Sequence, residues 1–383
     1  MTLRMEQVVA DLAAVVARAK AQQAAWELAI GKAEEAIGRW AEDPDAANER
    51  IADRLRESQA PFALAVEGEP PTLRKPAPSR GPVTVVAADG SSIEPDRFAP
   101  VSCYVVNAGF VYLPYGTTGT ARLGSDAIVG PSAPIVAPGD DGSEMSEGRG
   151  MGVNLVRDVR ELEMAESLAV EAAVAGEVVA LLDGTLLPWD LDSPQVALSV
   201  RKEMADRTRA ALDAIRRAGP GVSLGAYVSA SRSSEVTASL RVLSPGRTQV
   251  DLTDGRFFAA FLAEGERSAL FSSESGRHER VETQFDEHEV WAFYLKVWGD
   301  VARVELPRWA ATPAQVDRLH ATLVDQCNRC DGYPRALQEA HEQAVITGRD
   351  RQQFAVQLER EALRQGIAPT GAGKQLSKRR RAV

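Results

Sequence analysis

Two short β-rich runs, each followed by an Asp-Gly pair, constrain the fold of this chain more than any other feature. Val83–Ala88 precedes Asp89-Gly90, and Val178–Leu182 precedes Asp183-Gly184. Runs of this length and composition predict buried strands, and an Asp-Gly pair predicts a turn. Because ligands collect where the strands of an open α/β sheet end, we expect both aspartates in turns at one edge of a sheet.

The surrounding segments alternate between strand and helix patterns. Residues 101–113 predict two more strands joined by a turn at 107–109, and the Gly-, Ser-, Pro- and Asp-rich stretch 114–152 predicts a long functional or mobile loop. Helices are expected over 153–176 and about 195–218, strands over 222–228 and 301–306, and three helices after them. This order describes an α/β fold with a ribonuclease-H-like mixed sheet and flanking helices.

The composition divides the chain into four parts. Apolar residues such as Val8, Leu12, Trp26 and Ile30 recur at spacings of three and four, which predicts an N-terminal helical segment over 1–68. A Pro-rich linker is expected over 69–82. The ribonuclease-H-like domain then spans 83–368, and a basic tail spans 369–383.

The charge and the hydropathy of the chain limit its function class. A net charge of −10 speaks against a generally basic coat for nucleic acid, so any contact with DNA must come from local clusters of Arg and Lys. No apolar run is long enough to span a membrane, and the N-terminal residues lack the apolar core of a signal peptide. We therefore expect a cytoplasmic protein without membrane contact.

The cysteines point to neither disulfides nor zinc. Cys103, Cys327 and Cys330 are an odd and sparse set, unlike a secreted disulfide framework. Cys327 and Cys330 have the spacing of metal ligands, but no second pair completes a tetrahedral zinc site. Two helix-borne thiols are the favoured interpretation.

Asp89 and Asp183 become candidate metal ligands because they occur as a pair. Taken singly, each is more simply a turn residue. Two carboxylates brought together would repel each other unless a divalent cation lay between them, and such hard oxygen ligands suit Mg²⁺ or Mn²⁺. His341, on a predicted C-terminal helix, is more simply structural, but it would favour Mn²⁺ if it reached the same centre.

The helix before the second run supplies a third carboxylate. Glu161, Glu163 and Glu166 are the candidates, and the uncertain phase of the helix leaves the choice open. We favour Glu163, because its side of the helix lacks the stripe formed by Arg157 and Arg160.

Tyr227, Arg232 and Arg241 are the candidate contacts to DNA. They lie in or after a hydroxyl-rich segment that ends the predicted strand 222–228, and hydroxyls with an arginine at a strand end are natural phosphate ligands. A helix N-cap at Ser233 or Ser234 is the simpler alternative for the serines, although it does not account for the tyrosine or for Arg232.

Taken together, these motifs resemble the NurA family of DNA-end-processing nucleases, in its bacterial form. The resemblance covers nearly the whole chain, and it rests on the order and spacing of six short stretches. These are Ala88–Ser92, Leu181–Thr185, Gly225–Arg241, Glu264–Phe271, Ala302–Pro307 and Gly332–His341.

The resemblance implies a function, an assembly and a set of site residues. It implies a manganese-dependent 5′ to 3′ exonuclease and single-strand endonuclease, with Mg²⁺ as a possible substitute, that processes DNA ends in double-strand-break repair. It also implies a homodimer that works beside a HerA-type helicase. The family's catalytic and metal-binding residues fall on Asp89, Glu163, Asp183 and His341, while Tyr227 and Arg232 would position phosphate. Family members often have a lysine where this chain has Ser229 and Ser231, so Arg232 is the expected substitute.

Two other functions stay open at this stage. One is a non-catalytic dimeric clamp that holds DNA or regulates a helicase, with the aspartates serving only as turns. The other is a divalent-metal phosphatase on a similar sheet.

Overall fold

The computed structural model describes residues 5–56, 61–96, 98–116, 119–132, 146–244, 252–274 and 285–367. Its helices within these ranges are α1 (Met5–Glu42), α2 (Pro44–Arg56), α3 (Ser146–Ala173), α4 (Leu198–Arg217), α5 (Glu235–Leu243), α6 (Asp254–Phe261), α7 (Pro313–Asn328), α8 (Arg335–Ala344) and α9 (Gly348–Arg364). Its strands are β1 (Phe62–Ala65), β2 (Arg74–Pro76), β3 (Val83–Ile93), β4 (Cys103–Tyr115), β5 (Arg122–Pro131), β6 (Val178–Asp183), β7 (Val222–Val228), β8 (Glu266–Ser268), β9 (Phe271–Glu274), β10 (Val290–Val297) and β11 (Asp300–Pro307).

The chain forms two compact units. The first unit takes the described residues of Met1–Pro78, Val228–Glu279 and Glu289–Glu305. The second unit takes those of Ser79–Tyr227, Arg280–His288 and Leu306–Val383. The predicted mixed α/β sheet with flanking helices and an N-terminal helical segment is confirmed. The four domain boundaries set from composition stay a prediction, and the predicted basic tail lies outside the described residues.

The second unit is built on a mixed sheet with the strand order β7-β6-β3-β4-β5. β6 runs parallel to both β3 and β7, whereas β4 pairs antiparallel with β3 and with β5. Val85, Val86, Val179 and Leu181 have no exposed surface, as expected for parallel strands that are covered on both faces. α3 packs on β3, β4 and β6, and α8 packs on β3 and β4.

Two glycines that looked like turn residues are instead points of close helix packing. The predicted turn at Asn107–Gly109 is wrong, because β4 runs through it as one strand. A Cβ atom on Gly109 would lie 2.3 Å from the carbonyl oxygen of Ala340, so the glycine allows α8 to lie directly on the sheet. The predicted turn at Asp89-Gly90 is also wrong, because β3 continues to Ile93. A Cβ atom on Gly90 would lie 2.5 Å from Oε1 of Glu161 on α3.

The stretch 114–152 is more regular than its composition indicated. β4 continues into it as far as Tyr115, β5 occupies Arg122–Pro131, and α3 begins at Ser146. The prediction of one long irregular loop is therefore wrong for these parts. β5 has the exposed outer surface of an edge strand, with Leu123 and Val129 both exposed, which explains why its composition is so polar.

The first unit surrounds an aromatic core between its helices and a smaller sheet. β9 pairs antiparallel with β1 and β10, and β8 pairs antiparallel with β2 and β10. Trp40, Phe257, Phe258 and Tyr294 are almost completely buried in this core. The sequence pattern did not predict β1, β2, β8, β9 and β10, or α5 and α6. β2 lies inside the Pro-rich stretch 69–82, and Glu69 just before it forms an ion pair of 2.6 Å with the buried Arg267.

A buried aspartate organises the hydroxyl-rich segment after β7. Asp254, which has no exposed surface, accepts hydrogen bonds from the backbone N–H groups of Val236 and Thr237 in the first turn of α5, at 3.2 and 2.8 Å. It also accepts hydrogen bonds from the hydroxyls of Ser233 and Tyr294, at 2.8 and 2.6 Å. Ser233 Oγ in turn accepts a hydrogen bond of 3.3 Å from the backbone N–H of Glu235. Ser234 is the N-cap residue of α5, as one form of the capping alternative expected, but its side chain makes no capping hydrogen bond, and Asp254 takes that role.

No helix within the described parts of the chain is both long enough and apolar enough to cross a membrane.

Candidate active site

The second unit contains a cavity of ≈ 510 Å³ beside Asp89 and Asp183. The pairing of β3 with β6 ends at Ala88 and Leu182, so the two aspartates are the next residues on two adjacent parallel strands. Side chains of both signs line the cavity: the carboxylates of Asp89, Asp158, Glu161 and Asp183, and the cationic or basic groups of Arg157 and His341. The expectation that the two aspartates meet at one edge of the sheet is therefore met.

Asp89 is held between the sheet and α8. Its side chain is only 12% exposed, and one oxygen, Oδ2, lies 2.6 Å from Nδ1 of His341. Its other oxygen, Oδ1, accepts a hydrogen bond of 2.8 Å from the backbone N–H of Gly90. The imidazole of His341 is 63% exposed, so it faces the solvent on one side while it contacts the carboxylate on the other.

The position of His341 is fixed by the end of its helix. The carbonyl oxygen of Ala344 accepts a hydrogen bond of 2.9 Å from the side-chain amide of Asn107 on β4 and another from the hydroxyl of Ser91 on β3. Together with the close approach at Gly109, these bonds hold the last turn of α8 against the two strands. His341, one turn earlier in the same helix, is thereby brought to Asp89.

Glu161 brings a third carboxylate from α3. It is 7% exposed, and its Oε1 lies 3.3 Å from Nε of Arg157. Burial raises the pKa of Glu161 well above its usual range, and the nearby carboxylates of Asp158 and Asp89 raise it further. The charged form of Glu161 is therefore unfavourable unless more positive charge enters the cavity.

Asp183 ends β6 and is followed by a true turn. Gly184 has a φ of +85°, a conformation that glycine adopts without strain. Burial raises the pKa of Asp183, and the charge of Asp89 adds to this, although a hydrogen bond from the Tyr333 hydroxyl acts in the opposite direction. The carboxylates of Asp89 and Asp183 therefore repel each other, and of the two only Asp89 is buried, because Asp183 at the end of β6 is exposed to solvent.

The comparison with known proteins identifies the family. A family model described as the NurA domain matches residues 83–346. The chain belongs to the NurA family of nucleases.

Two solved NurA structures are similar to this chain. The crystal structure of the NurA nuclease from Sulfolobus solfataricus shares 18% identity, with 85% of this chain and 94% of that chain covered and a TM-score of 0.48. A crystal structure of NurA with manganese shares 12% identity, with 73% of this chain and 89% of that chain covered and a TM-score of 0.38. No curated protein matched the chain.

The glutamate favoured from the sequence does not line the NurA cavity. Glu163 forms two hydrogen bonds of 2.7 Å with the guanidinium of Arg207 on α4. Burial alone would raise the pKa of Glu163, but the hydrogen bonds and the charge of Arg207 outweigh it, so the pKa is lowered. Residues two positions apart on a helix differ by about 200° in direction. The structure therefore brings Glu161, rather than Glu163 or Glu166, to the cavity.

The three predicted DNA contacts lie outside the lining of the cavity. Tyr227 is 3% exposed, and its ring packs edge-on against that of Tyr333, with 5.7 Å between the ring centroids. It therefore supports the tyrosine that binds Asp183 rather than facing solvent itself. Arg232 and Arg241 are exposed residues of the first unit. Their contact with DNA stays a prediction.

The two cysteines contact residues beside the site, and neither lines the cavity. Cys327 is buried near the end of α7, and its thiol lies 3.9 Å from the hydroxyl of Tyr227. Burial raises the pKa of this thiol to about 12, which keeps it protonated at neutral pH. Cys330, three residues later in the turn that follows α7, contacts the side chain of Gln338. The expectation of two helix-borne thiols is therefore met for Cys327 on α7 but not for Cys330, which lies in the turn after it.

Three residues of the site were not singled out from the sequence. Arg157 and Asp158 lie one turn before Glu161 on α3, and Tyr333 precedes α8. Asp158 and Glu161 are three residues apart and share a helix face with Leu162 and Ala165, both of which are buried. That spacing was the available signal for the face of α3 that turns towards the sheet.

The side chains around the cavity fit a divalent cation by their donor chemistry. Within the described residues, no three His, Cys, Asp or Glu side chains are arranged to hold a metal as they stand. Asp89 is engaged by His341, and Asp183 is engaged by Tyr333. Four carboxylates around one cavity are nevertheless the hard oxygen ligands that Mg²⁺ and Mn²⁺ prefer, and the raised pKa values mark a shortage of positive charge.

Proposed function

We propose that this protein is a metal-dependent deoxyribonuclease that hydrolyses phosphodiesters at DNA ends and in single strands. The observation that carries the proposal is the meeting of Asp89, Asp183 and Glu161 around one cavity in a NurA domain. The finer features follow from the family resemblance. They are manganese as the preferred metal, a 5′ to 3′ exonuclease and a single-strand endonuclease activity, and a role in double-strand-break repair in the cytoplasm.

The residues of the cavity would have different roles in such a reaction. Asp89, Asp183 and Glu161 would hold the metal, and His341 would join them through Nε2, because its Nδ1 is directed at Asp89. When bound, a divalent cation lowers the pKa of water and stabilises negative charge on phosphate oxygens. Tyr333 fixes the orientation of Asp183 through its hydroxyl.

Arg157 is the cation of the cavity that suits the phosphate of the substrate. Its guanidinium is 31% exposed and is already oriented by Asp158, at 2.9 Å, and by Glu161, at 3.3 Å. An arginine held in this way presents its remaining N–H groups in a fixed direction, which favours contact with phosphate oxygens.

The proposal is tested by measuring cleavage of labelled DNA with and without metal. Purified protein should shorten both single-stranded DNA and linear duplex in the presence of Mn²⁺, more weakly with Mg²⁺, and EDTA should stop the reaction. Binding of DNA without cleavage would favour the non-catalytic clamp or helicase regulator. Neither binding nor cleavage, together with hydrolysis of a small phosphomonoester, would favour the phosphatase.

We also propose that the protein is a homodimer in which two copies of α1 pair in an antiparallel arrangement. The first half of α1 exposes an apolar stripe, with Met5, Val9, Leu12 and Val16 all between 51% and 64% exposed. An antiparallel pair centred between Ala14 and Val15 would bring the carboxylate of Asp11 of each copy near the guanidinium of Arg18 of the other. This self-complementary charge pattern beside an apolar stripe is typical of an antiparallel coiled coil.

The assembly can be measured by light scattering after gel filtration. The unaltered protein should have the mass of a dimer, and Leu12→Glu should shift it towards the monomer because a carboxylate would then lie in the apolar contact. Val174→Glu is the matched control, since Val174 is also exposed, at 92%, but lies in the second unit. A dimer that survives Leu12→Glu would remove α1 from the interface. Mixing with a purified HerA-type helicase in the same experiment tests that predicted partner, because separate elution would count against it.

A further inference from the structure

Trp189 is an exposed aromatic side chain at the cavity. It lines the cavity together with Asp89, Asp183 and Glu161, yet it is 78% exposed. This makes it the most exposed aromatic among the large apolar residues that the structure describes. It begins a short 3₁₀ helix, Trp189–Asp192, which follows β6.

The segment that carries Trp189 is anchored on both sides. Leu186 is 2% exposed and Leu191 is 5% exposed, so the residues that flank the tryptophan are fixed in the core. The hydroxyl of Thr185 donates a hydrogen bond of 3.1 Å to the carbonyl of Leu187, and the N–H of Ser193 donates one of 3.1 Å to the carbonyl of Asp190. The backbone therefore holds the indole at a defined place while the ring itself remains in solvent.

A structural role does not account for an indole in this position. Trp40 and Trp309 show what such a role looks like here: Trp40 is completely buried and donates a hydrogen bond of 3.0 Å to Asn48, and Trp309 donates one of 2.9 Å to His288. A single exposed apolar residue is ordinary on any protein surface. What distinguishes Trp189 is that it lines the same cavity as the carboxylates that are proposed to hold the metal.

We propose that Trp189 stacks on an unpaired nucleobase of the DNA strand whose phosphate enters the cavity. This inference rests on the proposed nuclease function and adds the part of the substrate that the protein recognises. Every base has a flat aromatic face, so stacking on an indole holds a strand without regard to its sequence.

The charge of the protein makes this mode of binding advantageous. The net charge is −10, and the cavity itself has four carboxylates, so phosphates alone attract the strand weakly. Stacking does not depend on positive charge. In an intact duplex the neighbouring bases cover each base face, and exposing one costs a few kcal/mol. The tryptophan therefore favours single strands and frayed ends over the interior of a duplex.

The inference is tested first by kinetics with Trp189→Ala, in the full chain with Mn²⁺. KM for single-stranded DNA should rise about 5- to 150-fold, the usual effect of removing one stacking contact, whereas kcat should change little. Trp189→Phe should recover most of the loss, because phenylalanine keeps an aromatic face. Trp298→Ala is the matched control, since Trp298 is 54% exposed but belongs to the first unit. An unchanged KM in Trp189→Ala would overturn the inference.

A substrate with missing bases separates stacking from a general effect on the fold. On a single strand that contains a tract of abasic sites, the unaltered protein and Trp189→Ala should have the same KM, because there is no base left to stack. If Trp189→Ala still raised KM on the abasic strand by the same factor, the tryptophan would act in another way and the inference would fail.

A binding measurement without cleavage keeps this test independent of the nuclease proposal. In EDTA, a short oligothymidylate should quench the tryptophan fluorescence of the unaltered protein, and Trp189→Phe should lose that quenching. Quenching without any cleavage in Mn²⁺ would support the stacking site while the nuclease proposal failed. Cleavage by the unaltered protein with no difference in quenching between the two proteins would do the reverse.

Discussion

Replacing Asp183 by asparagine should reduce the kcat/KM for DNA cleavage in Mn²⁺ by about 1,000-fold or more. Asparagine has nearly the same shape but no negative charge, so the change removes a metal ligand without opening a hole. A bound metal contributes several kcal/mol to such reactions, and about 4 kcal/mol corresponds to this factor. Asp206→Asn on α4 is the control, because its carboxylate is 75% exposed and pairs only with the neighbouring Arg209 on the same helix. Cleavage by Asp183→Asn at the unaltered rate would rule out the proposed centre.

The same substitution should not destabilise the fold. The pKa values of Asp183 and Glu161 are raised in the folded protein, so the folded chain holds these protons more tightly than the unfolded chain does. The stability contributed by the two groups is therefore greatest at low pH and is lost as the pH rises through the raised pKa values. At neutral pH the carboxylates cost stability, and Asp183→Asn should leave the free energy of unfolding equal or slightly higher.

The same excess of negative charge predicts how Mn²⁺ changes the Tm of the protein. Mn²⁺ should raise the Tm of the unaltered protein, since a ligand that binds only the folded state stabilises it. Asp183→Asn should lose most of this increase. An inactive variant that kept the full increase in Tm would separate the metal site from Asp183 and contradict the assignment.

Much of the fold could be predicted because burial leaves a simple pattern in the sequence. The runs before Asp89 and Asp183 are apolar except for Thr84, as is typical of strands covered on both faces, and both were recognised as strands. β5 was missed for the opposite reason, because an edge strand with an exposed surface has the composition of a loop.

The glycines were a second source of error. Gly90, Gly109 and Gly184 look alike in the sequence, and all three indicated turns. Only Gly184 has a positive φ, whereas the other two are strand residues against which a helix packs. Local sequence cannot separate these cases, because the second depends on helices that arrive from distant parts of the chain.

The sequence predicted the cavity residues that lie on strands better than those that lie on or beside helices. Asp89 and Asp183 were singled out because each follows a recognisable strand, and His341 because it lies on a predicted C-terminal helix; all three line the cavity, and their role as metal ligands stays a prediction. Asp158, Arg157 and Tyr333 gain their roles only from the position of their elements in three dimensions. A helix that is rotated by half a turn presents a different set of charges, so the choice among the α3 glutamates depended on a small uncertainty in phase.

The second large effect concerns that choice, and it compares Glu161→Gln with Glu163→Gln. Glu161→Gln should lower kcat/KM for DNA cleavage by about 100-fold or more, because it removes one of the carboxylates that would hold the metal. Glu163→Gln should leave cleavage within about threefold of the unaltered protein, because its carboxylate binds Arg207 instead of lining the cavity. Both variants change a glutamate of α3 into glutamine at positions two residues apart, so each serves as the control for the other.

The stability of the two variants should change in opposite directions. Glu161→Gln relieves repulsion with Asp158 and Asp89, so its free energy of unfolding at neutral pH should stay equal or increase. Glu163→Gln breaks the ion pair with Arg207, whose partners are 23% and 32% exposed, so it should lose only about 0.5 to 1 kcal/mol. Urea unfolding measures both changes. If Glu163→Gln abolished cleavage while Glu161→Gln did not, α3 would present the other face to the DNA, and the third ligand would be the one that the sequence alone favoured.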